Sequence, residues 1–138
     1  MLFFDLDLGA WVSRPGGTSP PQMTPVLTVG AIYQMPVTFI RGEQLQSVGG
    51  GTFYAGIKIK SDFAGTVGAG DATPTIDGEQ AVIFSMDLTT TDGKAYFTAN
   101  PTADTVSAVF VVVATIDAGE FKTPPFEVTL QNDYFSDK

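Results

Sequence analysis

The stretch SAVFVVVATID at residues 107–117 is the most apolar segment of the chain, with five consecutive large apolar residues at 109–113. β-Branched and aromatic side chains are typical of strands. A strand without polar alternation is buried on both faces, or has one face in a core and the other in an interface. This segment therefore predicts a strand that is buried in one of these two ways, and it places the chain among β proteins.

Other strands are predicted on both sides of this segment. Residues 2–8, 53–60, 80–88 and 126–130 alternate apolar and polar side chains, which is typical of a strand with one buried face. In the first of these, the alternation places Asp5 and Asp7 on the exposed face. Residues 31–40 form a further strand, in which Pro36 indicates an edge position or a bulge. Within 53–60, Gly56 indicates a bulge or a close approach of another backbone.

Turn signals separate these strands, and no stretch of a dozen residues has helical apolar spacing. Fifteen glycines and nine prolines interrupt the chain. Asp92-Gly93 is a strong hairpin signal, so residues 94–98 are expected to form the returning strand. Residues 62–78, rich in Gly, Thr, Ala and Asp, are expected to form a long loop. The pattern predicts one all-β domain over residues 1–138, an antiparallel β-sandwich of immunoglobulin-like or jelly-roll-like type with about eight strands.

Residues 13–25 hold four prolines and two glycines, and we interpret them as a Pro/Gly-rich arm. Proline removes backbone donors and restricts the preceding residue to extended conformations, so the arm is expected to be stiff and outstretched. Such a segment loses little entropy on docking, which suits it to lie on a partner with Trp11 at its base. The alternative is a crossover loop packed on its own sandwich.

Composition limits the function classes. With 43% apolar and 16% charged residues, the chain of 138 residues is expected to fold as one domain. It has no cysteine and no histidine, which removes disulfides, thiolate chemistry and the commonest general base and metal ligand. The net charge of −8 disfavours a nucleic-acid partner. No signal peptide is recognisable at the start and no apolar run reaches membrane-spanning length, so we expect synthesis in a cytoplasm and no membrane partner.

No motif selects an enzyme, a cofactor or a metal. Asp5-Leu6-Asp7-Leu8-Gly9 resembles the start of a calcium loop but fails at position five (Gly9) and position twelve (Gly16). Asp71, Asp77 and Glu79 offer carboxylates without a recognised spacing. A glycosidase needs only two carboxylates, yet nothing selects a pair. The glycines at 49–51 are not followed by the residues of a phosphate-binding loop. We therefore predict a protein that is not an enzyme and that holds neither cofactor nor metal.

Contact residues are the remaining candidates. Exposed aromatic rings favour sugar or protein surfaces, and Trp11, Tyr33, Tyr54 and Tyr134 are candidates, with core packing or incidental exposure as the alternative. From the arm and these rings we predict a partner-binding set, consisting of Trp11, Pro15, Pro20, Pro21, Pro25, Tyr54 and Tyr134.

Three segments carry a family resemblance. They are the opening strand Leu2-Phe3-Phe4-Asp5-Leu6 with its Pro/Gly-rich continuation, Pro25-Val26-Leu27-Thr28-Val29-Gly30 leading to Val37-Thr38-Phe39, and Phe126-Glu127-Val128-Thr129-Leu130 before Asn132-Asp133. The segment at 53–60, with Gly56 before Ile57-Lys58, also fits. On these residues the chain resembles the N-terminal β-sandwich domain of tailed-bacteriophage fibre and baseplate proteins, including the upper baseplate protein family. It differs from them at Ala31, where such proteins often have aspartate.

The resemblance implies a structural protein of the virion, made in the host cytoplasm and present as a homo-oligomer or in many copies. Its partners would be other virion proteins, and its role would be to dock a fibre or adhesin on the particle. The alternative function is a carbohydrate- or receptor-binding β-sandwich module.

Overall fold

The computed structural model describes residues 2–59, 68–77 and 81–133, and it confirms an all-β sandwich. This part contains eleven strands and one short helix. They are β1 (Leu2–Asp5), β2 (Ala10–Val12), β3 (Val26–Thr28), β4 (Ile32–Arg41), β5 (Gln44–Leu45), β6 (Thr52–Ile59), β7 (Gly68–Asp77), β8 (Ala81–Asp87), α1 (Thr91–Ala99), β9 (Thr105–Ile116), β10 (Gly119–Lys122) and β11 (Phe126–Gln131). The number exceeds the eight expected mainly because several strands of two to four residues carry no alternation long enough to recognise.

The strands are hydrogen-bonded in the order β2-β1-β4-β8-β7-β6-β9-β11-β3, with β10 beside β9 and β5 beside β4. Pairing is antiparallel except between β1 and β4 and between β11 and β3, which are parallel. The two halves of this order pack face to face as layers of a sandwich. Ring contacts join the layers: Phe39 of β4 stacks on Phe53 of β6 at 5.7 Å between centroids, and Phe84 of β8 meets Phe110 of β9 at 5.8 Å.

The apolar segment at residues 107–117 forms most of β9, so the prediction of a strand there is confirmed. β9 pairs along most of its length with β6 on one side, and with β11 and β10 on the other. Phe110, Val112 and Ala114 point into the core and are buried. Val111 and Val113, on the opposite face, are half-buried. The continuous apolarity therefore reflects one core face and one partly covered outer face.

The first strand is shorter than the sequence indicates. β1 ends at Asp5, the chain turns between Asp5 and Gly9, and Leu8 is 53% exposed instead of facing the core. The expectation that Asp5 lies on the exposed face is wrong, because its side chain is only 1% exposed. Its carboxylate accepts hydrogen bonds from the backbone N–H of Asp7 at 2.9 Å, Leu8 at 3.2 Å and Gly42 at 3.3 Å. Asp5 thus holds this turn against the turn after β4.

The prediction of a loop at residues 62–78 is wrong for residues 68–77, which form β7. β7 lies between β6 and β8 and pairs with both in antiparallel register. Its Gly, Ala and Asp residues have little intrinsic strand preference, but two neighbouring strands supply backbone partners, and this tertiary pairing outweighs local preference. The register with β6 shifts between Ile57 and Lys58, directly after Gly56, which confirms the expected irregularity.

The hairpin expected at Asp92-Gly93 is also wrong, because residues 91–99 form α1. The side chain of Thr90 accepts a hydrogen bond from the backbone N–H of Gly93, which is a standard helix N-cap. A Cβ atom on Gly93 would lie 2.8 Å from the Cα of Leu88. Glycine is therefore needed here for close packing of the helix on the end of β8, and not for a hairpin turn.

Candidate functional site

Trp11, expected at the base of a docking arm, lies in the core and is 7% exposed. Its ring lies near those of Phe4 (5.2 Å between centroids), Phe126 (5.5 Å) and Phe110 (6.4 Å), and its Nε1–H donates to the carbonyl of Pro124 at 2.8 Å. β2 and β11 stand near opposite ends of the strand order, so Trp11 links the two ends of the sheet across the sandwich. Trp11 is therefore a core residue, which was the alternative to its predicted role as a contact residue.

The other candidate aromatic rings are not brought together. The hydroxyl of Tyr33 accepts a hydrogen bond from the backbone N–H of Thr28 at 2.8 Å, which binds β4 to β3. Tyr54 is 68% exposed on the outer face of β6, opposite the half-buried Val113 of β9. Tyr134 lies outside the described residues. The described residues therefore contain no aromatic platform of the kind that binds sugars.

The arm has two parts with different conformations. Its first part is not outstretched, because the N–H of Ser13 bonds to the carbonyl of Ser19 and closes a loop that contains Pro15. The N–H of Gly16 in this loop donates to the carbonyl of Gly42, which fixes the loop to the turn after β4. Pro15 and Pro20 are exposed. The arm thus touches its own sandwich at a few points while most of its surface stays open to solvent.

The second part of the arm borders an apolar seam between the start of β1 and the strands β3 and β11. Two adjoining depressions lie along it, of about 390 Å³ and about 230 Å³. The larger is lined by Leu2, Val12, Ser13, Pro21, Gln22, Met23, Pro25 and Phe126, and the smaller by Leu2, Pro25, Leu27, Tyr33, Gln34, Met35 and Pro36. Leu2 and Pro25 belong to both, so the depressions form one surface, which we call the seam.

Met23 places an exposed apolar side chain in the seam, where it is 79% exposed and contributes to the lining. Val26 (54% exposed) and Ile32 (61%) are exposed neighbours of lining residues along the chain, but they do not line the depressions themselves. Of the predicted contact residues, Pro21 and Pro25 lie in the seam, whereas Pro15, Pro20 and Tyr54 do not line it. Sequence reasoning missed Leu2 and Met23 as lining residues. The sequence signal that was available is Met23, a large apolar residue within a Pro-rich arm.

The first half of β4 borders the seam. β1 first meets β4 at the pair Leu2 and Val37, so residues 32–36 of β4 pair with β8 alone among the described strands. The carbonyl of Ile40 accepts from Leu6 on the β1 side, whereas that of Ala31 accepts from Leu88 on the β8 side. Because backbone groups alternate along a strand, even-numbered residues of β4 face the β1 side. Pro36, which lacks an N–H, therefore faces the β1 side just before the first described pair of β1 with β4, so no ladder hydrogen bond to β8 is lost there.

A polar cluster lies at the opposite end of β1. Arg41 pairs with Asp7 at 3.0 Å, donates to Gln46 at 3.1 Å and lies 5.8 Å from the centroid of the Phe121 ring. Gln46 in turn donates to Asp117 at 3.3 Å. These groups are largely exposed and satisfy one another, so the cluster stabilises turns and offers no open coordination site.

The part of the chain that the structure describes contains no group of three metal-ligating side chains. The carboxyl groups of Asp71, Asp77 and Glu79 lie outside the described side chains. Hydrogen bonds from the hydroxyl and the backbone N–H of Thr89 lower the pKa of Asp87, whose carboxylate is fully exposed. Among the described residues, no helix is long and apolar enough to cross a membrane.

No protein-family model matches the sequence, and no curated protein matches it.

Proposed function

We propose that the chain is a non-enzymatic structural domain of a tailed-phage virion that assembles with other virion proteins through the seam. One observation carries the proposal: two adjoining apolar depressions share Leu2 and Pro25, and Met23, which is 79% exposed, lines the larger of them. Exposed contiguous apolar surface of this kind typically marks a protein–protein contact. The resemblance to fibre and baseplate domains supplies the setting, in which such a chain is present in several copies on the particle.

The chemistry around the seam supports binding rather than catalysis. Its polar lining groups are Ser13, Gln22, Gln34 and the hydroxyl of Tyr33, and none of them is a strong acid, base or nucleophile at neutral pH. The Tyr33 hydroxyl already accepts a hydrogen bond from β3. A carbohydrate-binding module, by contrast, would use clustered rings with polar partners. The described aromatic side chains do not cluster in that way, so assembly is the function that the geometry favours.

The test compares two neighbouring arm residues, Met23 and Thr24, which are both exposed. Met23 lines the seam and Thr24 does not. Virus particles purified from the source of the gene should contain several copies of the chain, as counted by quantitative mass spectrometry. Met23→Glu should reduce incorporation at least tenfold without changing the unfolding midpoint, whereas Thr24→Glu should leave incorporation unchanged. Particles without the chain would refute the virion role, and equal incorporation of both variants would refute the seam as the contact surface.

A further inference from the structure

The outer face of β9 is apolar although it lies outside the core of the sandwich. It presents Val109, which is buried, and Val111 and Val113, which are half-buried. The solvated face of an antiparallel strand usually carries polar side chains, so a row of three valines on this face is typical of a contact surface. None of the three valines lines the seam, so this surface is separate from it.

Exposed side chains of the neighbouring strands flank this row of valines. At one end, the pairing register places Lys58 of β6 and Glu127 of β11 on either side of the row. At the other end, it places Tyr54 of β6 and Lys122 of β10 on either side. Residues directly opposite in an antiparallel pair share one face, so all four side chains lie on the outer face, and all four are exposed. We call the three valines and these four residues the β9 face.

We propose that two copies of the chain associate through the β9 face, packed face to face about a two-fold axis that runs along β9. Lys58 of each copy then lies opposite Glu127 of the other. In the same way, the ring of Tyr54 lies opposite Lys122 of the other copy. Opposite charges across an interface select the partner and the register, and an ammonium group is attracted to the face of an aromatic ring. The valines of the two copies pack between these pairs, like the inner faces of two stacked sheets.

The distribution of charge identifies a second copy of the chain as the occupant. A two-fold interface joins the same patch on both subunits, so the patch must be complementary to itself. The β9 face meets this condition, because rotation about β9 exchanges a cation with an anion at one end and a ring with a cation at the other. Within one copy Lys122 makes an exposed ion pair with Glu120 at 3.8 Å, which costs little to rearrange. A partner surface of a single charge sign would meet both signs here.

The middle of the β9 face sets the direction of the axis. Beside Val111, β6 has Gly56, which contributes no side chain. On the other side of β9, Pro124 and Pro125 occupy the corresponding level as a bulge between β10 and β11, and both are exposed. An axis along β9 places each Gly56 opposite the bulge of the other copy. An axis across the strands would instead place the two Gly56 positions opposite each other and leave a void, which well-packed interfaces avoid.

Sedimentation velocity of the full chain over a range of concentrations measures this association. We expect a monomer–dimer equilibrium whose Kd rises with salt concentration, because the paired charges lie near the surface. Tyr54→Ala should raise Kd about tenfold, as truncation of an aromatic anchor at an interface typically does. The urea unfolding midpoint of the monomer should stay the same, because Tyr54 is 68% exposed in the single copy.

Glu127 and Glu43 supply the matched pair of variants. Both are exposed, and Glu43 lies in the turn after β4, outside the β9 face. Glu43→Lys and Glu127→Lys reduce the negative net charge equally, which by itself favours association of an acidic protein. Glu43→Lys should therefore leave Kd unchanged or lower it. Glu127→Lys should raise Kd about tenfold, because it places a lysine opposite Lys58 of the other copy.

Two double variants test the direction of the axis. Lys58→Glu combined with Glu127→Lys restores opposite charges across an axis along β9, so Kd should return to within about threefold of the original value. Lys122→Glu combined with Glu127→Lys should leave Kd raised, because Lys58 still faces a lysine. Recovery of Kd in this second double variant, and not in the first, would overturn the axis along β9.

A full chain that stays monomeric, or a dimer that both Tyr54→Ala and Glu127→Lys leave intact, would overturn the β9 face as a contact surface. A dimer that dissociates on Met23→Glu would also overturn it, because the copies would then associate through the seam. The inference rests on the proposed function, in which the chain is present in several copies, but the two fail by different results. Absence of the chain from virus particles refutes the virion role, whereas a chain that enters particles but is monomeric in solution refutes the paired β9 face alone.

Discussion

Asp5 and Asp7 occur two positions apart in the sequence, yet the structure predicts very different costs for replacing them. Asp5→Ala would leave three backbone N–H groups, those of Asp7, Leu8 and Gly42, without their acceptor. A buried donor left unpaired costs about 1–3 kcal/mol. Two of the three bonds are long, and their donors belong to exposed or half-buried residues, so we expect a total loss of about 2–4 kcal/mol. Asp5→Asn keeps one carbonyl oxygen and should cost about 1–2 kcal/mol.

Asp7→Asn is the matched control. Asp7 makes an exposed ion pair with Arg41, and such pairs typically contribute less than about 1 kcal/mol. Urea unfolding can be followed by the fluorescence of Trp11, the single tryptophan of the chain, whose ring is buried in the native core and exposed on unfolding. The midpoint should fall markedly for the Asp5 variants and little for Asp7→Asn. The structural role of Asp5 would be refuted if Asp5→Ala lowered the free energy of unfolding by less than about 0.5 kcal/mol. It would also be refuted if Asp7→Asn lowered that free energy as much as Asp5→Ala does.

Three further substitutions test the packing. Trp11→Ala should lower the free energy of unfolding by about 3–5 kcal/mol, measured by far-UV circular dichroism in urea; a loss below about 1 kcal/mol would show that the ring is not core. Gly93→Ala should cost about 1–3 kcal/mol because the new Cβ would collide with the backbone of Leu88, and a neutral effect by calorimetry would contradict that contact. Ala118→Gly should raise stability by about 0.5 kcal/mol because Ala118 has φ +66°, and a lower melting temperature would argue against backbone strain there.

The fold class could be predicted because the signals for it are local. Alternation in the strands that became β6, β8 and β11, and the apolar run of β9, each report burial of a face within a few residues. Of the two elements that were predicted wrongly, β7 depends on distant strands, whereas α1 depends on nearby residues whose effect the Asp92-Gly93 hairpin signal obscured. β7 is a strand because β6 and β8 both pair with it, and α1 is a helix because Thr90 caps it and Gly93 fits against Leu88.

The candidate site was predictable only in part. The Pro-rich arm pointed to the right region, since Pro21 and Pro25 border the seam. Trp11 carried no local sign that its ring would cross to β11, because that contact joins residues more than a hundred positions apart. Nor does alternation reveal that β1 pairs in parallel with only the second half of β4, from Val37 to Ile40, within the described residues. These features arise from how strands of different length meet, which a single sequence does not encode locally.

Oxidation of methionine in the isolated and assembled protein tests the central claim most directly. Met23 is 79% exposed in the seam, whereas Met86 is buried away from it and serves as an internal reference. Brief peroxide treatment followed by peptide mass spectrometry should show rapid oxidation of Met23 in the isolated chain and at least tenfold slower oxidation in particles. Met86 should react slowly in both states. Equal oxidation of Met23 in isolated and assembled protein would show that the seam stays uncovered, and it would contradict the seam as the assembly surface.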